Sequence, residues 1–182
     1  MPTDHEYEVS VKQLNRRGLL RLWRQIVAGK TPGWAPGKAF EYLIIRAFEL
    51  EGADVTYPYQ VKVEEDVVEQ IDGLVVVDAV LAIVESKDQT NPVNVEPLAK
   101  MRNQLLRRPS AAVGSIFSRS GFTSAAQILA QYFAPQALVL WEANEIEYML
   151  YSKKMCAGLK TKYRIAVRDG VGAYNILGEV IE

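Results

Sequence analysis

The chain has 182 residues, 49% of them hydrophobic, and its 21 basic and 22 acidic side chains leave a formal charge of −1. That length suits one domain with a substantial core, the composition is too apolar for disorder, and the charge gives no global sign of nucleic-acid binding. A single cysteine, Cys156, excludes an intrachain disulfide and a cysteine-rich zinc site, and a single histidine, His5, argues against histidine triads and histidine metal centres. Catalysis would then rest on carboxylates, Lys, Ser, Tyr or a hard metal. No apolar run reaches the roughly 18 residues of a membrane span. Met1 to Ser10 is polar and acidic and lacks a secretion-signal pattern, so the expected setting is reducing and cytoplasmic.

Val9 to Ala28 places Val11, Leu14, Leu19, Leu22, Trp23, Ile26 and Val27 at helical spacing, with a break expected near Gly18. Gly29 to Gly37, with Pro32, Gly33 and Pro36, reads as a loop. Lys38 to Leu50 is a second helix, striped by Phe40, Leu43, Ile44, Ala47 and Phe48 and ended by Gly52. Asp54 to Val63 alternates like a strand, and Pro58 suggests an edge or a bulge. Leu74 to Val77 and Val80 to Val84 read as two buried strands joined by a tight turn at Asp78 and Ala79. A loop at Asn91 to Asn94 leads into a helix from Val95 to Arg108, carrying Leu98, Met101, Leu105 and Leu106. A buried strand at Ala111 to Phe117, a helix at Gly121 to Phe133 and a strand at Ala137 to Trp141 follow. Ala143 to Val167 is helix-rich with a break expected near Gly158, and Gly170 to Glu182 carries no assignable pattern. The expected organisation is one α/β domain over 1–182, a sandwich around a mixed central sheet. Its core spans about 37–141, preceded by the helix at 9–28 and followed by a helix-rich extension at 143–182.

The hairpin carries the chemistry. If Val77 faces Val80 across the turn, counting outwards sets Asp72 opposite Glu85 on one side of the sheet. Lys87, two residues past Glu85, shares that side because strand side chains repeat every second residue. Opposed carboxylates repel, and a divalent cation between them would turn that repulsion into a binding site. Glu-Ser-Lys alone is a weak signal, and a solvated strand end is its ordinary explanation. Its position at the end of an apolar run, where α/β proteins often place sites, strengthens it. Glu41 borders the apolar face of its helix, where it either reaches water near the helix N-terminus or meets a partner.

Basic residues gather in two places, Arg16, Arg17, Arg21 and Arg24 near the start, and Lys100, Arg102, Arg107 and Arg108 after the hairpin. Acidic residues gather at Glu64, Glu65, Asp66 and Glu69, and the first arginine group could pair with them or grip DNA. Arg102, Arg107, Arg108 and, from a strand–helix junction, Arg119 could contact backbone phosphates; a solvated helix face explains each equally well. Gln89 shares the face of Lys87 if the strand continues, and Gln104 could turn inward; each could position a water or touch a phosphate, or simply be a surface amide. Trp34 and Trp141 read as packing residues and Cys156 as a small buried hydrophobe.

Taken together, these residues resemble the PD-(D/E)XK nuclease superfamily, in its Mrr-like or Holliday-junction-resolvase-like form. The resemblance runs from about Gly37 to Trp141: a helix with Phe40-Glu41, a strand, Ile71-Asp72-Gly73, Val84-Glu85-Ser86-Lys87, a helix and a further strand. Ser118-Arg119-Ser120-Gly121-Phe122-Thr123 after a strand looks like the same group, whereas Ile71 stands where the name-giving proline would be. The resemblance implies a restriction-endonuclease-like fold and hydrolysis of DNA. Asp72 and Glu85 would bind Mg²⁺ (Mn²⁺ is possible), Glu41 would assist, and Lys87 would orient the attacking water and stabilise phosphate charge. A junction resolvase working as a homodimer and a non-cleaving binding module are the alternatives it leaves open.

Overall fold

The computed structural model describes residues 2–57, 59–132 and 137–179. Helix α1 (Asp4–Lys12) opens with a reciprocal cap between Thr3 and Glu6, and α2 (Arg16–Val27) restarts the chain after a short break. The break lies around Leu14 and not at Gly18, because the Asn15 side chain caps α2 by accepting the Gly18 N–H at 3.0 Å. Sequence periodicity passed over α1 because only Tyr7 and Val11 of that helix are buried. Helix α3 (Lys38–Glu49) follows the expected stripe and is almost wholly buried after its first turn.

The expected strand at 54–63 is instead two strands in two sheets. β1 (Asp54–Thr56) edges the main sheet, whereas β2 (Tyr59–Val63) pairs with β3 (Asp66–Ile71) as a separate antiparallel ribbon. β3 runs through the acidic stretch, which read as a charge run. Pro58, the residue expected to mark an edge or bulge, lies outside the described residues. β4 (Gly73–Val77) and β5 (Val80–Lys87) form the expected hairpin in the expected register, Val77 with Val80 and Gly73 with Val84. Asp78 makes the turn at φ +53°, a left-handed conformation that aspartate adopts more readily than most residues.

Helix α4 (Val95–Leu105), β6 (Ala112–Ser118), α5 (Ser124–Gln131) and β7 (Leu138–Trp141) complete the sheet. Its order is β1-β4-β5-β6-β7, antiparallel through the hairpin and parallel from β5 to β7. Phe133, the expected end of α5, lies outside the described residues. Helices α6 (Ala143–Ser152) and α7 (Met155–Asp169) follow. They part at Lys153, in left-handed conformation, and not at Gly158. Glu51 caps the start of α7 from across the molecule, accepting the N–H groups of Met155 and Cys156, each at 3.0 Å. Gly158 sits inside α7 because Trp141 and Met149 press on it; a Cβ there would lie 2.9 Å from the Trp141 ring. The unassigned tail runs along β7, where Leu140 donates to the Gly172 carbonyl, and then makes a 3-10 turn at Ile176–Glu179.

The sheet is covered on both faces. Val75, Ala82, Val84, Val113, Phe117, Val139 and Trp141 pack against α2, α3, α6 and α7. Ile83, Ile116, Leu138 and Leu140 pack against α4 and α5. Trp141 stacks on Phe117 and Trp34 on Tyr7, so both tryptophans pack as expected. Cys156 is half-buried against the larger core. Among the described residues no helix is long and apolar enough to cross a membrane.

Candidate active site

β5 is buried from Ala82 to Ser86 and surfaces at Lys87, so its C-terminal end delivers Glu85 and Lys87 to the rim of the sheet. Glu85 lies two residues from Ile83 and therefore faces the α4 side. Asp72 falls in the bend between β3 and β4, one step beyond the last ladder pair. Its carboxylate accepts the Ser86 N–H at 2.7 Å, which ties it to the strand that carries Glu85. Gly73, next to it, is packed so closely under α3 that a Cβ there would collide with Ile45. That approach brings the first turn of α3, with Lys38 and Glu41, over the same rim.

Charge at this rim is crowded. The Asp72 carboxyl is pushed up to about 7 by burial first, then by Glu85 and Glu41, against the pull of the Ser86 N–H and Lys87. Glu85 is only 3% exposed, and Lys87 reaches it at 2.5 Å. Burial disfavours the charge on Lys87, but Glu85 and then Asp72 outweigh it and shift the ammonium upward. Lys87 is therefore a cation at neutral pH. Glu41 accepts from Lys38 at 2.7 Å.

Two lysines of this cluster were not among the expected site residues. Lys100 of α4 reaches both oxygens of Glu85 at 3.1 Å. The sequence placed it only in a basic group, because which strand α4 covers is a tertiary fact. Lys38 left a clearer signal: a cation in the first turn of a helix opposes the macrodipole, and the acids facing it (Glu41, Asp4 and Asp72) explain it.

The remaining expected residues scatter. β5 ends at Lys87, so Gln89 does not share its strand face; it is exposed and its amide donates to the Asn91 carbonyl at 2.9 Å. Arg107 and Arg108 both pair with the buried Glu69 of β3, Arg108 at 2.7 Å, and so hold the ribbon to the end of α4. This, and not the first arginine group, is the partner of the acidic stretch; Arg16 instead meets Glu51 and the Leu50 carbonyl, and Arg24 the Tyr151 hydroxyl. Arg119 pairs with Asp88 at 2.5 Å, beside the loop after β5. Gln104 is buried one turn beyond Lys100, with its side-chain oxygen unpartnered, and Arg102 is exposed.

The donor set suits a hard cation. Asp72 and Glu85 are oxygen donors crowded enough to shift a carboxyl, and lysines already neutralise them. Among the described residues no three acidic, histidine or cysteine side chains converge on one point. Two carboxylates would leave the other positions to water and phosphate, which is how Mg²⁺ is commonly held.

A mixed five-stranded sheet flanked by helices, with this hairpin at its centre, is a restriction-endonuclease-like α/β fold. The profile of the restriction endonuclease family, Mrr catalytic domain, matches residues 35–150, and the chain belongs to that family. No curated protein matches the chain. A solved structure, the crystal structure of a protein of unknown function (AF1548), is similar at 15% identity and a TM-score of 0.45, covering 82% of this chain and 78% of that one.

Proposed function

We propose that the chain is a metal-dependent DNA endonuclease whose single nuclease-like domain works through Asp72, Glu85 and Lys87. The observation that carries this reading is the opposition of Asp72 and Glu85 at the rim, with Lys87 against Glu85. A Mg²⁺ or Mn²⁺ ion held by Asp72 and Glu85 would polarise the scissile phosphate and lower the pKa of bound water. Lys87, a cation on a half-buried stem, donates towards the attacking water and offsets charge that builds on the phosphate. Glu41 sets the field at Asp72 from the α3 side, and the Ser86 N–H fixes the Asp72 carboxylate. Arg102, exposed on α4, and Arg119, beyond the end of β6, would follow the DNA backbone, and a homodimer would supply two sites for cutting both strands.

The test is incubation of the purified protein with supercoiled plasmid, a four-way junction and single-stranded DNA, with Mg²⁺, Mn²⁺ or EDTA. Cleavage that requires metal and disappears in Asp72→Ala and Lys87→Ala is the expected result. Preference for the junction would identify a resolvase. Salt-sensitive DNA binding without cleavage would identify a non-cleaving module and overturn the proposal.

A further inference from the structure

We propose that Lys100 is a displaceable counter-ion of Glu85, a positioning residue that holds the carboxylate in the metal-free protein and yields it when a divalent cation enters. The inference rests on the reading above that Asp72 and Glu85 hold the metal. Glu85 is 3% exposed, and a carboxylate so buried requires a partner. It has two, and they differ in kind. Lys87 belongs to the same strand, two residues away, and its side chain is 29% exposed. Lys100 comes from α4, its side chain is 50% exposed, and it straddles both carboxylate oxygens at 3.1 Å.

Straddling both oxygens places the ammonium where a cation would approach. Oxygen ligands of Mg²⁺ lie about 2.1 Å from the ion. An ammonium 3.1 Å from both Glu85 oxygens takes up the acceptors that such an ion would need. Lys100 has the freedom to leave. Helix α4 itself is fastened by Leu98, Met101 and Leu105, so the movement is confined to the four-carbon stem of Lys100. From the rim the stem can turn outwards, towards solvent or a strand of bound DNA. Lys87, two residues along the same strand and less exposed than Lys100, is the partner that would remain with Glu85.

The consequence is a competition that can be read without cleavage. In a calorimetric titration of DNA-free protein with Mn²⁺, Lys100→Ala removes the competitor and should tighten binding about threefold to tenfold. Lys100→Arg keeps the charge and should bind like wild type. Lys160→Ala, which removes a cation paired with Asp78 at the far turn, corrects for net charge and should change affinity little. Lys100 lies on the exposed side of a helix, so its variants should fold, and circular dichroism checks this. Unchanged or weaker binding by Lys100→Ala, or equal tightening by Lys160→Ala, overturns the proposal. No Mn²⁺ binding by wild type at all would instead sink the metal-site reading beneath it.

Discussion

Two of the buried charge clusters among the described residues are built in opposite ways. Glu145 and Lys162, each 1% exposed, meet at 2.6 Å behind β7. There each group has several fixed partners. Glu145 also accepts the N–H groups of Ile176 at 2.8 Å and Glu142 at 2.9 Å, and Lys162 donates to the Tyr174 carbonyl and lies over the Trp141 ring. At the mouth of the β4–β5 hairpin, Asp72 and Glu85 crowd one another, and their counter-charges are lysines that remain partly in solvent. Saturated, one-to-one pairing is what a scaffold requires. Like charges held together against repulsion, with partners that can leave, mark a place prepared for a ligand. Burial alone would not tell them apart, since Glu85 and Glu145 are equally hidden.

That contrast can be broken experimentally. The largest effect is expected at the hairpin and on activity alone. Lys87→Ala should lower metal-dependent DNA cleavage by about 100-fold to 1,000-fold, the loss seen when a transition-state charge donor is removed, with little change in melting temperature. The reverse should hold behind β7. Lys162→Met leaves Glu145 buried and unpaired and should cost about 3–5 kcal/mol in denaturant unfolding, with cleavage per folded molecule retained. A variant that kept its stability would mean that the pair is not the structural element described.

A smaller effect sharpens the comparison through pH. The Asp72 carboxyl rises from 3.8 to about 7 on folding. Between those values the folded protein holds a proton that the unfolded chain has lost, so stability falls as pH rises through the window. In EDTA, Asp72→Asn should remove that decline, and the variant should melt higher than wild type at pH 8 and close to it at pH 4. Parallel melting curves at both pH values would refute the crowding. The smallest effect is expected at the ribbon. Arg108→Ala loosens its hold on Glu69 and should cost about 1–2 kcal/mol, read as faster proteolysis within residues 59–71 and with cleavage of DNA largely kept.

Much of the candidate site is legible in the sequence itself. The register of a short hairpin follows from its turn, and side chains alternate, so Asp72, Glu85 and Lys87 could be placed together from the chain alone. The buried strands and α3 were equally legible, because apolar periodicity is a local property. The elements that were missed have their causes elsewhere in the molecule. α1 hides behind few buried residues, β2 leaves the main sheet to meet β3, and the start of α7 is set by Glu51, more than a hundred residues away. The partners of the charges were the least visible. Nothing local says that Arg107 and Arg108 belong to Glu69, that Lys162 belongs to Glu145, or that Lys100 lies across Glu85. Hydrophobic pattern and turn chemistry act over a few residues, so the chain carries them openly. Ion pairing acts over a few ångströms between residues far apart in sequence, so only the packed sheet and its helices decide it.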